Sequence, residues 1–462
     1  MGIFNNSVEI NKENPFEKDE ICREDEIKNL TKLFEIVNNQ MVLAINSPWG
    51  TGKTTFLKMW EAYLGWDIEL SDKYEVIYFN AWENDDCLDP LVAIIAEMKE
   101  SMEKVNKTDW DNMKLKGKKL VKKIAPVATK IITAGLISSS DINLGEKIED
   151  TIIDVSGNLF DVDEYIEQKE IRKEFEKELK KYQEKLGKTV IFFIDELDRC
   201  RPTFAIETLE RVKHLFNLEK FIFVLGIDKE ALSNSIKVIY GNGTDVNGYL
   251  ARFIDVEYSL KETHRGFYIR HLMDKYTVNK IDFGGSNRNF FDVMEIIDLF
   301  GVSLRDMEKV VATLYLISKE NKELYTKLDC HIISLLLMIK NTDKSLYSKV
   351  KGRRIDSGQL IEALDEKIHI KKWFDENKKR YAIKGNIINI LCDIDMYNVL
   401  RNKLNELDKS NEEKNSDEIE KCKICLDECK LLEDKKYKEY MEKNLEYITN
   451  IIDFYSNLDI TQ

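Results

Sequence analysis

Ser47-Pro48-Trp49-Gly50-Thr51-Gly52-Lys53-Thr54-Thr55 is the stretch that decides the architecture. It follows the apolar run Met41-Val42-Leu43-Ala44-Ile45 and leads into Phe56-Leu57-Lys58-Met59-Trp60, which together make a strand–loop–helix frame. In that frame the residue types have a chemical reading as a phosphate-binding loop. Gly50 and Gly52 let backbone N–H groups turn inward around phosphates, at the positive end of the following helix. Lys53 is expected to bring a point charge to the β- and γ-phosphates, the Thr54 hydroxyl to ligate Mg²⁺, and Thr55 to hydrogen-bond the α-phosphate. Ser47 stands where the pattern usually has glycine, a departure that matters little if its backbone is ordinary. The bland reading, a Gly-Thr-Gly turn beside an unrelated lysine, leaves the flanking strand and helix patterns unexplained.

Working outward, three more apolar runs have strand length: Tyr74 to Phe79, Val190 to Ile194 and Phe221 to Leu225. Such nearly unbroken β-branched and aromatic runs suit a parallel sheet covered on both faces. Phe253-Ile254-Asp255-Val256-Glu257-Tyr258 alternates and suits an edge strand. The third run ends in Asp195-Glu196-Leu197-Asp198-Arg199. At the carboxyl end of a strand, Asp195 would hold the Mg²⁺ hydration shell across from Thr54, and Glu196 would orient the attacking water. A strand ending in solvated acids is the competing view, and the upstream phosphate loop weighs against it. Asp228, at the end of the following strand, is expected on the γ-phosphate side as a sensor. Arg199, Arg201 and Arg211 read as surface or ion-pair residues.

The chain has 462 residues, 43% of them hydrophobic, so it is long enough for two to four units at about 150 residues each and disorder throughout is excluded. Its 84 acids exceed its 70 bases, giving a net charge of -14, which argues against a generic nucleic-acid coat. Glycine and proline are scarce, which points to a helix-rich protein. The eight cysteines are sparse, and the N-terminus carries no leader pattern, so a reduced, cytoplasmic setting is expected. Cys422, Cys425 and Cys429 share one helix face and read as packed cysteines, since no fourth ligand accompanies them.

Between the second and third strands lies a long insertion. It opens with Lys114, Lys116, Lys118, Lys119, Lys122 and Lys123, followed by an apolar stretch from Ile124 to Ile137. About 14 apolar residues are too few to span a bilayer. They allow a peripheral contact of 114–137 with an anionic inner-membrane surface, set against a solvated lysine run before a core helix. After residue 260 every apolar run has helical spacing, and the Lys- and Glu-rich segment from about 400 to 445 reads as exposed helix or helical hairpin.

Five features together resemble the KAP family of P-loop NTPases: Ser47 to Thr54, Phe79-Asn80-Ala81-Trp82, Asp195 to Cys200, Tyr249 to Ile254, and Ser303 to Glu308. The resemblance spans about residues 15 to 320. It implies an AAA-related, ASCE-class fold: α/β, three layers around a parallel central sheet, with a helical insertion, a helical lid and a helical C-terminal region. The corresponding partition is 1–40 as helical lead-in, 41–100 and 188–260 as nucleotide core, 101–187 as insertion, 261–345 as lid and 346–462 as C-terminal region. It also implies Arg305 as a lid arginine reading the nucleotide, Arg252 as an arginine finger reaching a neighbour's phosphates, and therefore a homo-oligomer. Bacterial relatives are often encoded in phage-defence systems, which makes antiviral defence the implied setting. The expected activity is Mg²⁺-dependent ATP hydrolysis driving a switch or assembly step with a protein partner still to be identified. ATP is preferred because no guanine-specifying Asn/Thr-Lys-x-Asp follows in the expected place. Two alternatives stand beside it: a nucleotide-gated scaffold that does not hydrolyse, and a membrane-surface or nucleic-acid-associated module acting through the insertion.

Overall fold

The computed structural model describes residues 9–36, 40–87, 89–124, 162–215, 218–261, 265–276, 287–320, 327–368, 381–410, 416–429, 432 and 435–457. The chain forms two compact units, Val8–Glu262 and Thr263–Gln462.

In the first unit five strands, β1 (Met41–Asn46), β2 (Tyr74–Asn80), β3 (Thr189–Asp195), β4 (Phe221–Ile227) and β5 (Val256–Ser259), form one sheet in the order β2-β3-β4-β1-β5. All pairings are parallel, and β4 lies between β1, which feeds the phosphate loop, and β3, which carries the acids. The register sets Asn46 level with Ile227, Ile194 with Leu225 and Asn80 with Asp195, so the carboxyl ends meet along one edge. That edge is where open parallel sheets bind ligands.

Successive residues of a strand point to opposite faces, and the near-continuous burial of β1, β3 and β4 means that both faces of the central sheet are covered. Leu43, Ile45, Phe193 and Val224 pack against helices α1 (Glu24–Ile36) and α2 (Lys53–Trp66). Trp60 of α2 is fully buried there, stacked on Phe34 with ring centroids 5.1 Å apart, and its indole N–H donates to Thr31 Oγ1 at 2.9 Å. The short helix α3 (Ile68–Lys73), capped by Asp67, closes this layer. Val42, Ala44, Phe192 and Phe223 face the other layer, built from α4 (Pro90–Glu97), α5 (Lys99–Val105), α6 (Lys107–Ile124), α7 (Val162–Leu186), α8 (Pro202–Leu215), α9 (Lys229–Tyr240) and α10 (Val246–Leu250). The first unit is thus a three-layer α/β fold with helices on both sides of a parallel sheet.

The insertion belongs to this same core. Leu120 of α6 and Phe175 and Tyr182 of α7 are buried with the sheet residues, and Tyr182 Oη shares a hydrogen bond with Ser101 Oγ at 2.5 Å. Gly117 lies so close to α4 that an added Cβ would fall 2.5 Å from Ile95. Lys116 pairs with Glu174, and Lys185 with Asp109 at 2.5 Å, across the helices. The proposed membrane-contact stretch falls largely on residues 125–137, outside the described residues. Among the described residues, no helix is long and apolar enough to cross a membrane.

The edge strand starts three residues later than its alternating pattern predicts. The N–H groups of Phe253 and Ile254 donate to the Leu250 carbonyl, so these residues turn out of α10 instead of extending. Pairing with β1 begins where the Asp255 N–H reaches the Val42 carbonyl at 2.9 Å.

Every regular element described in the second unit is helical. α11 (Arg265–Lys275), α12 (Asn287–Leu299) and α13 (Leu304–Glu320) are followed by α14 (Lys327–Thr342), α15 (Lys344–Lys351), α16 (Ser357–Ile368) and α17 (Tyr381–Leu391). α18 (Ile394–Ser410), α19 (Ser416–Cys429) and α20 (Lys435–Asn457) complete it. α13 opens with a reciprocal cap: Ser303 Oγ accepts from the Asp306 N–H at 3.2 Å and donates to its carboxylate at 2.7 Å. α18 and α19 pack on each other and on α17, burying Cys422 and Cys425. The Cys429 side chain lies outside the described residues. Burial pushes the Cys422 thiol up, away from the thiolate a metal would need.

Candidate functional site

The phosphate loop takes the shape its glycines permit. Gly50 and Gly52 have φ of 77° and 90°, a left-handed region that costs other residues about 1–2 kcal/mol. Ser47 is absent from the positive-φ positions, so serine in place of the usual glycine introduces no strain. Its hydroxyl bonds Thr51 Oγ1 at 2.7 Å, and Thr51 donates in turn to the Pro48 carbonyl at 2.8 Å, bracing the loop from inside. Lys53, Thr54 and Thr55 form the first turn of α2, whose free N–H groups face the loop.

Lys53 is 8% exposed. Burial lowers its pKa, and the charges of Asp198, Asp228 and Asp195, in that order, counter the effect. Its Nζ donates to the Ser47 carbonyl at 2.5 Å and the Pro48 carbonyl at 3.4 Å. Phosphate oxygens are stronger acceptors than these carbonyls for an ammonium.

Asp195 is 1% exposed at the end of β3. Burial raises its pKa against hydrogen bonds from Tyr78, Thr54 and the Glu196 N–H. Tyr78 Oη donates to Oδ2 at 2.7 Å, and the Glu196 N–H to Oδ1 at 2.8 Å. The Thr54 hydroxyl thus favours the charged form of Asp195, which makes neighbours of the two residues that sequence spacing assigned to a cation. A hydroxyl beside a buried carboxylate is an all-oxygen donor set, which fits a hard divalent ion such as Mg²⁺. Gly226 of β4 makes room for this carboxylate, because a Cβ there would stand 2.8 Å from Asp195 Oδ1 and 2.5 Å from Leu57.

Glu196 follows with φ of 60°, the left-handed region for a non-glycine residue. Such strain gathers where surrounding structure holds a functional group in place. Its Oε1 lies 2.9 Å from Arg199 Nη1, and that guanidinium sits 5.7 Å over the half-exposed Trp82 ring. Burial raises the Glu196 pKa, Arg199 lowers it, and Asp195 and Asp198 push it up again. Trp82 is presented by a turn in which Asn80 Oδ1 accepts from the N–H groups of Trp82 and Glu83. The Phe79-Asn80-Ala81-Trp82 run therefore acts as a strand terminator that delivers an aromatic ring to the acidic turn.

Asp228 caps α9, accepting from Glu230 and Ala231, and its second oxygen accepts from the Trp49 N–H at 3.2 Å. It thus touches the phosphate loop as well as ending the strand. Arg201 pairs with Asp85, and buried Arg211 with Asp89 at 2.9 Å, as ion-pair residues. Arg252 is exposed and has no ion-pair partner among the described residues. The acids that follow it on the edge strand, Asp255 and Glu257, face Lys213 at 3.9 Å and Lys229 at 2.7 Å. Arg305 is half-buried in the first turn of α13, in the second unit. Tyr78 and Gly226 were not singled out by motif reading. A glycine inside an otherwise apolar strand was the available signal for Gly226, whereas Tyr78 looked like any strand aromatic.

A sequence model of the KAP family P-loop domain matches residues 23–321. The chain belongs to the KAP P-loop NTPase family. The match covers the whole loop-and-acid constellation, extends into α13 with Arg305, and makes nucleotide binding the family expectation for this KAP chain. Comparison with curated proteins found no match. Among solved structures, the Aeropyrum Pernix ORC2 protein in its ADP form is similar at 11% identity, with 76% of this chain and 82% of that chain covered and a TM-score of 0.35. Its ADPNP–ADP complexes give 12% identity, the same coverages and a TM-score of 0.33.

Proposed function

We propose that this KAP protein binds ATP with Mg²⁺ and hydrolyses it slowly, using the cycle as a conformational or assembly switch. The observation that carries the reading is the joining of Lys53, Thr54, Asp195 and Glu196 at one edge of the sheet, with Thr54 close enough to Asp195 for its hydroxyl to favour the charged carboxylate. Thr54 and Asp195 would hold the cation, and Mg²⁺ there would neutralise charge on the phosphates. Lys53 supplies a further positive charge from the helix N-terminus. Glu196 orients water once its carboxylate leaves Arg199. Arg252, exposed and unpaired, is available to a second copy, and Arg305 belongs to the lid of the proposed scheme.

One observation favours the alternative of a nucleotide-gated scaffold: the Glu196–Arg199 ion pair occupies the carboxylate needed for hydrolysis. Both readings require binding, so binding is tested first. Lys53→Ala removes up to three charge-assisted donor positions, each worth about 1.5–3 kcal/mol. ATP affinity, measured by isothermal titration with Mg²⁺ present, is expected to fall about 100-fold. Parental affinity in the variant would remove the phosphate loop from the account.

A further inference from the structure

Asp198 is the third acid of Asp195-Glu196-Leu197-Asp198, in the 3₁₀ turn Leu197–Arg199. It is 6% exposed, and its two carboxylate oxygens have different surroundings. Oδ2 accepts from the indole N–H of Trp49. Oδ1 is closed to solvent and accepts from no group among the described residues. Leaving a buried acceptor unpaired costs about 1–3 kcal/mol, and more when the group is charged. A purely structural acceptor for the Trp49 indole accounts for one oxygen and leaves the second as an uncompensated cost.

The surroundings narrow what could supply the missing donor. Trp49 is held at two points, its indole by Asp198 and its backbone N–H by Asp228, so carboxylates following β3 and β4 both hold the phosphate loop. Asp198 is the carboxylate whose charge most favours the Lys53 cation. With Asp228 and Asp195 it acts on the lysine that would meet the phosphates, and through Trp49 it holds the same loop. A magnesium ion keeps several of its waters when it binds, and each bound water is a donor in need of an acceptor.

Building on the ATPase reading, we propose that Asp198 is a positioning residue of the nucleotide site. Its Oδ2 fixes the phosphate loop through Trp49, and its Oδ1 accepts a hydrogen bond from a water of the hydrated Mg²⁺ that arrives with the nucleotide. Acceptors one shell out from a metal change its affinity about 10–100-fold. The rival donor is the third proton of Lys53, since two are directed to the Ser47 and Pro48 carbonyls. That donor would act with or without the metal.

The test uses the full chain and a non-hydrolysable ATP analogue, with affinity measured in excess Mg²⁺ and again in EDTA. The readout is the ratio of the two affinities, which a general folding defect or a looser loop would leave in place. In Asp198→Asn the amide oxygen can keep the Trp49 bond while an NH₂ replaces Oδ1, and the ratio is expected to fall about tenfold or more. Trp49→Phe removes only the indole donor, so affinity should weaken in both conditions with the ratio kept. Asp198→Ser, too short to reach the cation side, serves if the amide disturbs folding and is expected to lose the ratio likewise. A parental ratio in both Asp198 variants, or equal loss with and without Mg²⁺, would overturn the proposal. A parental protein that binds no nucleotide in either condition would overturn the ATPase reading and this one with it. A Mg²⁺ effect that survives in Asp198→Asn sinks this proposal alone.

Discussion

Asp195 at the end of β3 and Asp453 in α20 are both acids packed against protein, yet they are held in opposite ways. At Asp195 burial outweighs three hydrogen bonds and raises the carboxyl above its ordinary range. Glu196, beside it, is likewise raised by burial, with Arg199 opposing. At Asp453 burial pushes up too, but Lys340 at 2.7 Å, Lys351 at 2.6 Å and Tyr347 together hold the carboxyl below the usual range. Asp393 behaves like Asp453: burial is outweighed by the Ser357 hydroxyl and by the N–H groups of Met396 and Ser357. In the helical unit Asp393 and Asp453 serve as a cap and a counter-ion. At the end of β3, Asp195 and Glu196 instead stand in an environment that disfavours their charge, which is the usual cost of a preorganised functional site.

The sharpest way to break this comparison is to remove charge without changing shape. Asp195→Asn is expected to cut affinity for Mg²⁺–ATP about 10–100-fold. The same substitution should raise unfolding free energy on the order of 1 kcal/mol, because a poorly compensated buried charge disappears. Denaturant melts of parent and variant check the second effect, and a lower midpoint in Asp195→Asn would deny that the site stores this cost.

Asp453→Asn should have the opposite sign and a smaller size, a loss of about 0.5–1 kcal/mol, since its lysine partners are partly exposed. Acid separates the two regions in the same way. Asp453 and Asp393 have lowered folded pKa values, so the stability they contribute is present above the unfolded aspartate value of about 3.9 and is lost as pH falls through the folded values. Asp195 and Glu196 have raised folded pKa values, so their contribution is full below about 4 and is lost as pH rises through the folded values. Hydrogen exchange at pH 3 against pH 7 should show α18 and α20 losing protection before β3 and β4. Uniform loss across both units would count against the contrast.

Much of the sheet unit was legible in sequence because its signals are local. The strand runs sit where β1 to β4 form, and the frame around Lys53 is readable from glycine spacing alone. The start of β5 was not, since Phe253 and Ile254 alternate properly but spend their N–H groups on Leu250. The resting contacts of the site were hidden for a different reason. Trp49 meets Asp198, Tyr78 meets Asp195 and Arg211 meets Asp89 across more than a hundred residues of chain, and no periodicity encodes such pairs. Arg199 pairing with Glu196 was within reach of spacing, but its stacking on Trp82 required the turn built by Asn80. In the second unit helices were expected from periodicity. The capping acids Asp343 and Asp393 that start α15 and α18 were not singled out.

If the edge joining Lys53, Thr54, Asp195 and Glu196 is a hydrolytic site, it must release phosphate within a single turnover. With enzyme in excess over radiolabelled ATP and Mg²⁺ present, the parental protein should release phosphate. Glu196→Gln keeps the shape of the side chain but cannot take a proton from water, and should bind ATP while releasing phosphate about 10²–10⁴-fold more slowly. Equal release by the two proteins, or none from the parent with ATP fully bound, would contradict the account.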